Sequence, residues 1–228
     1  MHLTPAAVSL KAVQEAAPHC PEAACRAMLY GALAELLRQP PKPGMLDAIA
    51  DRLGQLPHGP DVLRAAARML AQEARVASVS RCQQEAAWTD FRLLLDETAT
   101  QRVSLPYAHA QCDEMAFAHV CDDVCPYEAG KPCPFGDTYC VDRLGAPCDH
   151  VSAALEVAAH QWNDLAEARD ETQRERCRAR CTSFAQRHLR PWVSRVADAL
   201  HEHARSSLYR CAADAVDLLI DAEPVRGA

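Results

Sequence analysis

Apolar residues along most of this chain return every three or four positions, the repeat of a single buried face on an α-helix, and prolines punctuate the runs. From Glu22 to Arg38 the repeat is Cys25, Met28, Leu29, Leu33, Leu36 and Leu37, ended by Pro40, Pro41 and Pro43. Leu46, Ile49, Ala50 and Leu53 carry it up to Pro57, and Val62, Leu63, Ala66, Met69 and Leu70 resume it after Pro60. Thr4-Pro5 reads as an N-cap followed by proline at the first helical position, opening a short helix through about Ala17. Ser80 is predicted to cap a helix whose Ala87, Trp88, Phe91, Leu94 and Leu95 form a broad stripe. Asp149 is predicted to cap another, with Val151, Leu155, Ala158, Ala159, Trp162 and Leu165 on its apolar face. After a polar break at Arg169 and Asp170 come Cys177, Cys181, Phe184 and Leu189; Pro191 is then expected to start a new element that Trp192 anchors in the core. Val196, Leu200, Leu208, Cys211, Ala215, Leu218 and Leu219 complete the pattern.

Composition agrees with this reading. Ala, Leu, Arg and Glu abound, whereas aromatic residues make up only 5% of the chain and glycine occurs 8 times, so strand formers are scarce. The expectation is an all-α fold: one helical bundle of roughly eight to ten helices, given about three turns each. Residues 1–228 are expected to form a single domain, interrupted by an irregular segment over 101–149. With 49% hydrophobic and 24% charged residues the chain has the balance of an ordinary folded protein.

Charge and hydropathy exclude several function classes. The net charge of −7 supplies no basic field for a polyanion, so nucleic acid is not expected as a partner. No stretch reaches the ~18 apolar residues of a membrane span, and Met1-His2-Leu3-Thr4-Pro5 lacks the basic and apolar regions of an export signal. A cytoplasmic location without membrane insertion is the expectation.

Beyond Thr98 the pattern changes. Pro106, Pro126, Pro132, Pro134 and Pro147 interrupt residues 101–149, and six of the 12 cysteines fall there. Long irregular segments inside folded domains more often carry function than not. Cys121, Cys125, Cys133 and Cys140 supply enough thiolates for a tetrahedral zinc or iron–sulfur site, although no two cysteines form the Cys-x2-Cys chelating turn. The alternative is a set of packed thiols in a reducing compartment. Cys177 and Cys181, one helical turn apart, together with Cys25 and Cys211, are expected to pack in the core. Phosphate-binding glycine loops, Gly-x-Ser-x-Gly elbows and His-Glu-x-x-His are absent, so no enzymatic activity is expected and no cofactor is implied. Asp149-His150 places a carboxylate and an imidazole at a helix start, where capping competes with a binding role.

Several of these features stand in a familiar order: Arg26-Ala-Met-Leu-Tyr30, Cys125-Pro-Tyr-Glu128, Cys148-Asp149-His150 with Leu155-Glu156 behind it, His188-Leu189-Arg190-Pro191-Trp192, and Leu208-Tyr209. Over residues 22 to 221 this order resembles the TorD/DmsD/NarJ family of all-helical cytoplasmic chaperones dedicated to molybdenum oxidoreductases. The resemblance implies binding to the twin-arginine signal, or an equivalent N-terminal tail, of a catalytic subunit before its cofactor is inserted. It implies a monomer or homodimer, and a client-peptide groove lined by Tyr127, Glu128, Asp149 and His150, with Trp88, Phe91 and Leu95 as further candidates. The chain departs from the family in having too few residues between Tyr127 and Asp149 for the usual intervening helix, and in its enrichment of cysteine there. The competing reading is a cysteine-rich metal-binding or thiol redox protein on the same helical scaffold.

Overall fold

A computed structural model describes residues 20–56, 59–95 and 150–223. Most of its helices begin at a proline or at a capping side chain. Pro21 opens α1 (Pro21–Arg38) and Pro43 opens α2 (Pro43–Gly54), since a first-turn proline loses no hydrogen bond and its ring fixes a helical φ. Then come α3 (Asp61–Val79) and α4 (Arg81–Leu94), divided by Ser80, whose hydroxyl accepts from Gln83 N–H as predicted. After residues 96–149 come α5 (Val151–Glu167) and α6 (Glu171–Phe184), the latter capped by Asp170, which accepts from Gln173 N–H at 2.7 Å.

The next stretch corrects an expectation. Pro191 does not begin a new element: it lies inside a π-helical stretch, Ala185–Val193, that continues α6 directly into α7 (Ser194–His203). A proline inside an α-helix removes one N–H and clashes with the carbonyl four residues back. Widening to the five-residue register relieves that crowding, and Ser194 N–H accordingly reaches back to the Leu189 carbonyl. Helix α8 (Ser207–Asp221) follows, capped by the Ser206 hydroxyl. Counting α6 through α7 as one rod, the described residues form seven helices, slightly fewer than eight to ten, and the all-α class holds. The helix expected over residues 4–17 and the irregular segment expected over 101–149 lie outside the described residues.

Packing follows the apolar faces. Helix α1 lies along α5, with Gly31 facing Ala159. Helices α2 and α3 form a hairpin, α3 also packs on α8, and α8 lies against α7. One apolar cluster runs through all of them, with Trp192, Tyr30, Tyr209 and Phe184 among its largest fully buried side chains. Each such burial contributes roughly 1.5–3 kcal/mol. Cys25, Cys177, Cys181 and Cys211 are buried in the same cluster, as their positions predicted.

At Gly59, just before α3, a Cβ would overlap Cys25 Sγ and sit 3.6 Å from the Pro21 carbonyl. The starts of α1 and α3 therefore touch. Buried Asp90 joins the other end of the bundle, its Oδ2 accepting from Arg205 N–H at 3.0 Å and Ser206 N–H at 2.7 Å. On α3 itself the pattern overstated burial: Leu63, Ala66 and Leu70 face inward, but Val62 and Met69 are exposed.

Candidate functional site

The candidate site begins where α5 begins. Here the cap is His150 rather than Asp149: the imidazole Nδ1 accepts from Ser152 N–H at 3.1 Å and lies 2.7 Å from Ser152 Oγ. A ring nitrogen can accept only when it carries no proton, so capping places the proton of the neutral ring on Nε2. His150 is 4% exposed. Burial, and secondarily the nearby positive charge of Arg38, depress its pKa from 6.5 to about 4. Arg38, at the end of α1, pairs with Glu156 one turn into α5, so the opening of α5 is tied both to its own backbone and to its neighbour.

The three candidates on and beside α4 divide. Phe91 and Leu95 are buried in the apolar cluster. Trp88 is 44% exposed, with the Arg92 guanidinium 5.0 Å from its ring centroid in a cation–π contact. Tyr127, Glu128 and Asp149, as well as Cys121, Cys125, Cys133 and Cys140 of the metal alternative, lie outside the described residues. Among the described residues no three His, Cys, Asp or Glu are grouped to hold a metal ion, and no helix is long and apolar enough to cross a membrane.

A polar cluster that the sequence pattern did not reveal explains the Arg26 and Tyr30 pair. Glu223, just beyond α8, is 2% exposed and sits at its centre. Tyr30 Oη donates to its Oε1 at 2.7 Å, Trp162 Nε1 donates to the same oxygen at 3.0 Å, and Arg26 Nη1 stands 3.6 Å away. Arg26 also donates to the Ala222 carbonyl at 2.9 Å and to Glu22 at 2.8 Å, while its guanidinium lies 4.7 Å from the Trp162 ring centroid. Arg190 of the π stretch donates to the Glu223 carbonyl at 3.0 Å. Desolvation raises the Glu223 pKa despite these donors, and its Oε2 accepts no hydrogen bond. The cluster binds the end of α8 to α1, α5 and the π stretch, and its chemistry is that of a structural clasp. Glu223 has no periodic or motif signal of its own; only the pairing of a buried Arg with a buried Tyr one turn apart calls for a carboxylate between them.

The π stretch completes the region. His188 and Trp192 are both fully buried, one turn apart, and the His188 ring lies 4.7 Å from the Phe184 ring. The residues of His188-Leu189-Arg190-Pro191-Trp192 thus act inward: two fill the core with Leu189, Pro191 sets the helical register, and Arg190 holds the residues just beyond α8. Tyr209 of the closing Leu208-Tyr209 pair is buried as well, donating to the Leu36 carbonyl at 3.4 Å.

No curated protein and no solved structure matches the chain. The family described as nitrate reductase delta subunit matches residues 142–198, a span that contains Asp149-His150, all of α5 and α6, and the π stretch. That family is one of molybdoenzyme maturation chaperones, and the match bears out the resemblance to the TorD/DmsD/NarJ family over this part of the chain.

Proposed function

We propose that this protein is a dedicated chaperone for the catalytic subunit of a molybdenum oxidoreductase, holding the subunit's twin-arginine signal or equivalent N-terminal tail while cofactor insertion and assembly proceed. The observation that carries the reading is the family match over residues 142–198, because it spans both the Asp-His helix opening and the His-Leu-x-Pro-Trp stretch. The role is one of binding rather than catalysis, in the cytoplasm, as a monomer or homodimer.

Physical chemistry divides the labour in such a site. A twin-arginine signal presents cationic side chains followed by an apolar run, so its receptor needs an apolar groove with acids at one end. An exposed ion pair contributes about 0–1 kcal/mol. Burial of one Leu-sized side chain contributes roughly 1.5–3 kcal/mol. The groove therefore supplies affinity, and the acids supply orientation. In this reading Tyr127 and Glu128 line the groove and Asp149 supplies charge. His150, buried and capping α5, acts as a positioning residue that sets the end of the helix behind Asp149. Of the aromatic candidates, exposed Trp88 is the one available to a peptide, whereas Phe91 and Leu95 serve it through the core.

The test is co-expression with the catalytic polypeptide encoded nearby, followed by titration of its N-terminal peptide. A stable complex whose affinity falls for Asp149→Ala, with helicity unchanged, supports the proposal. Maturation of the oxidoreductase that proceeds fully without this protein, or near-stoichiometric zinc or iron lost on substitution of Cys121, Cys125 and Cys133, would replace it.

A further inference from the structure

The Glu223 cluster divides into a receptor and a ligand. Arg26 and Tyr30 stand on α1 and Trp162 stands on α5, two helices packed along each other, whereas Glu223 comes from two residues past the last turn of α8. The three donors are held without it. Glu22 fixes Arg26, accepting from its Nε at 3.1 Å and from its Nη2 at 2.8 Å, and the guanidinium lies over the Trp162 ring. Tyr30 and Trp162 are buried in the apolar cluster. A hydroxyl, an indole N–H and a guanidinium thus converge on one place, each held by its own helix, which is the pre-organisation that binding requires.

The chemistry of that place selects a carboxylate. All three groups present donors to its centre. Arg26 shares its charge with Glu22, so the balance suits a single negative charge rather than a phosphate dianion. The Cys181 thiol acts on both Tyr30 and Glu223 but adds no charge, because burial pushes its pKa up to about 12. Glu223 fills the place only in part: Tyr30 and Trp162 both meet Oε1, Arg26 Nη1 stays at 3.6 Å, and Oε2 accepts no hydrogen bond among the described residues. Solvent is near, since Ala222 is exposed and the Glu22 side chain is 48% exposed. We infer that Arg26, Tyr30 and Trp162 form a carboxylate-binding site for which Glu223 serves as an internal, removable ligand, so that a carboxylate carried by another molecule binds there when the chain beyond α8 is lifted. Trp162 stands about 18 Å along α5 from His150, at 1.5 Å per helical residue, so this site is separate from the helix opening.

Glu223→Ala removes the internal ligand, and propionate is the probe, compared with neutral propionamide, with chloride at equal ionic strength and with inorganic phosphate. A ligand that binds only the folded state raises its stability in a saturable way. Propionate is expected to raise the Tm of the variant by several degrees and to saturate, while propionamide and chloride do not. Adding Tyr30→Phe to the variant should remove most of that gain, and the wild type, whose site is filled, should show none. Where Glu223→Ala does not fold unaided, the same comparison is read as refolding yield, with propionate alone expected to restore it. A variant that responds to none of the probes, or equally to propionate and chloride, overturns the inference, as does a wild type that gains as much as the variant. Phosphate that stabilises the variant more than propionate overturns the assignment to a carboxylate.

Discussion

The cap at the start of α5 makes the sharpest prediction because its ionisation is set by position. His150 accepts the Ser152 amide through Nδ1; its burial, and after it the charge of Arg38, hold its pKa at about 4 against 6.5 in the unfolded chain. In the folded state it is neutral, while the unfolded state takes up a proton below pH 6.5. Between those values the unfolded chain binds more protons, so stability is complete above 6.5 and is lost as pH falls towards about 4. A tenfold difference in proton affinity is worth about 1.4 kcal/mol, so the loss from this group is on the order of 3 kcal/mol. His150→Asn keeps a side-chain oxygen in the cap but cannot titrate. Urea unfolding followed by far-ultraviolet circular dichroism, run for both proteins across this interval, isolates the imidazole. The wild type should lose stability relative to the Asn variant as pH drops, whatever offset separates them at neutral pH. A difference that stays flat across the interval would refute the buried neutral cap.

Three further outcomes follow from the packing. Tyr30→Phe removes a donor to buried Glu223 at nearly constant volume. The loss should be about 1.5–3 kcal/mol for a hydrogen bond to a charged group. In thermal unfolding that corresponds to a fall of roughly 3–12 °C in Tm for a chain of this size. Gly59→Ala drives a methyl into Cys25 Sγ and should destabilise by about 1–3 kcal/mol, with Cys25→Ala in the same chain restoring part of the loss in urea titrations. Alkylation mapped by peptide mass should label exposed Cys82 in the native protein and spare Cys181 and Cys211, whose pKa values burial pushes up to about 12 and about 11, until the chain unfolds.

Local information was enough for the helices and for most of their inward faces. Periodicity in α1 and the cap at Ser80 are decided within a turn or two of chain, so they can be read in one dimension; Pro43, which reads as a stop, also opens α2, and Asp170, which reads as a polar break, caps α6. The fate of the buried cysteines was legible for the same reason. Reading failed where two local rules competed. Asp149 is the better cap by preference, yet His150 occupies the position because it lies buried where its ring can meet Ser152. Proline normally ends a helix, yet Pro191 is carried through by the π register and by the buried residues on either side.

What the sequence determined by itself is a set of amphipathic helices, their order, and the signature positions Arg26, Tyr30, Asp149, His150 and His188 to Trp192. Only the tertiary structure decided that Arg26 and Tyr30 reach across the bundle to Glu223, that Trp162 and Arg190 meet them there, and that Val62 and Met69 face outward. The physical reason is range. A helix forms from contacts within four residues, whereas desolvation of a carboxylate, and the donors that compensate it, depend on which distant segments close around it.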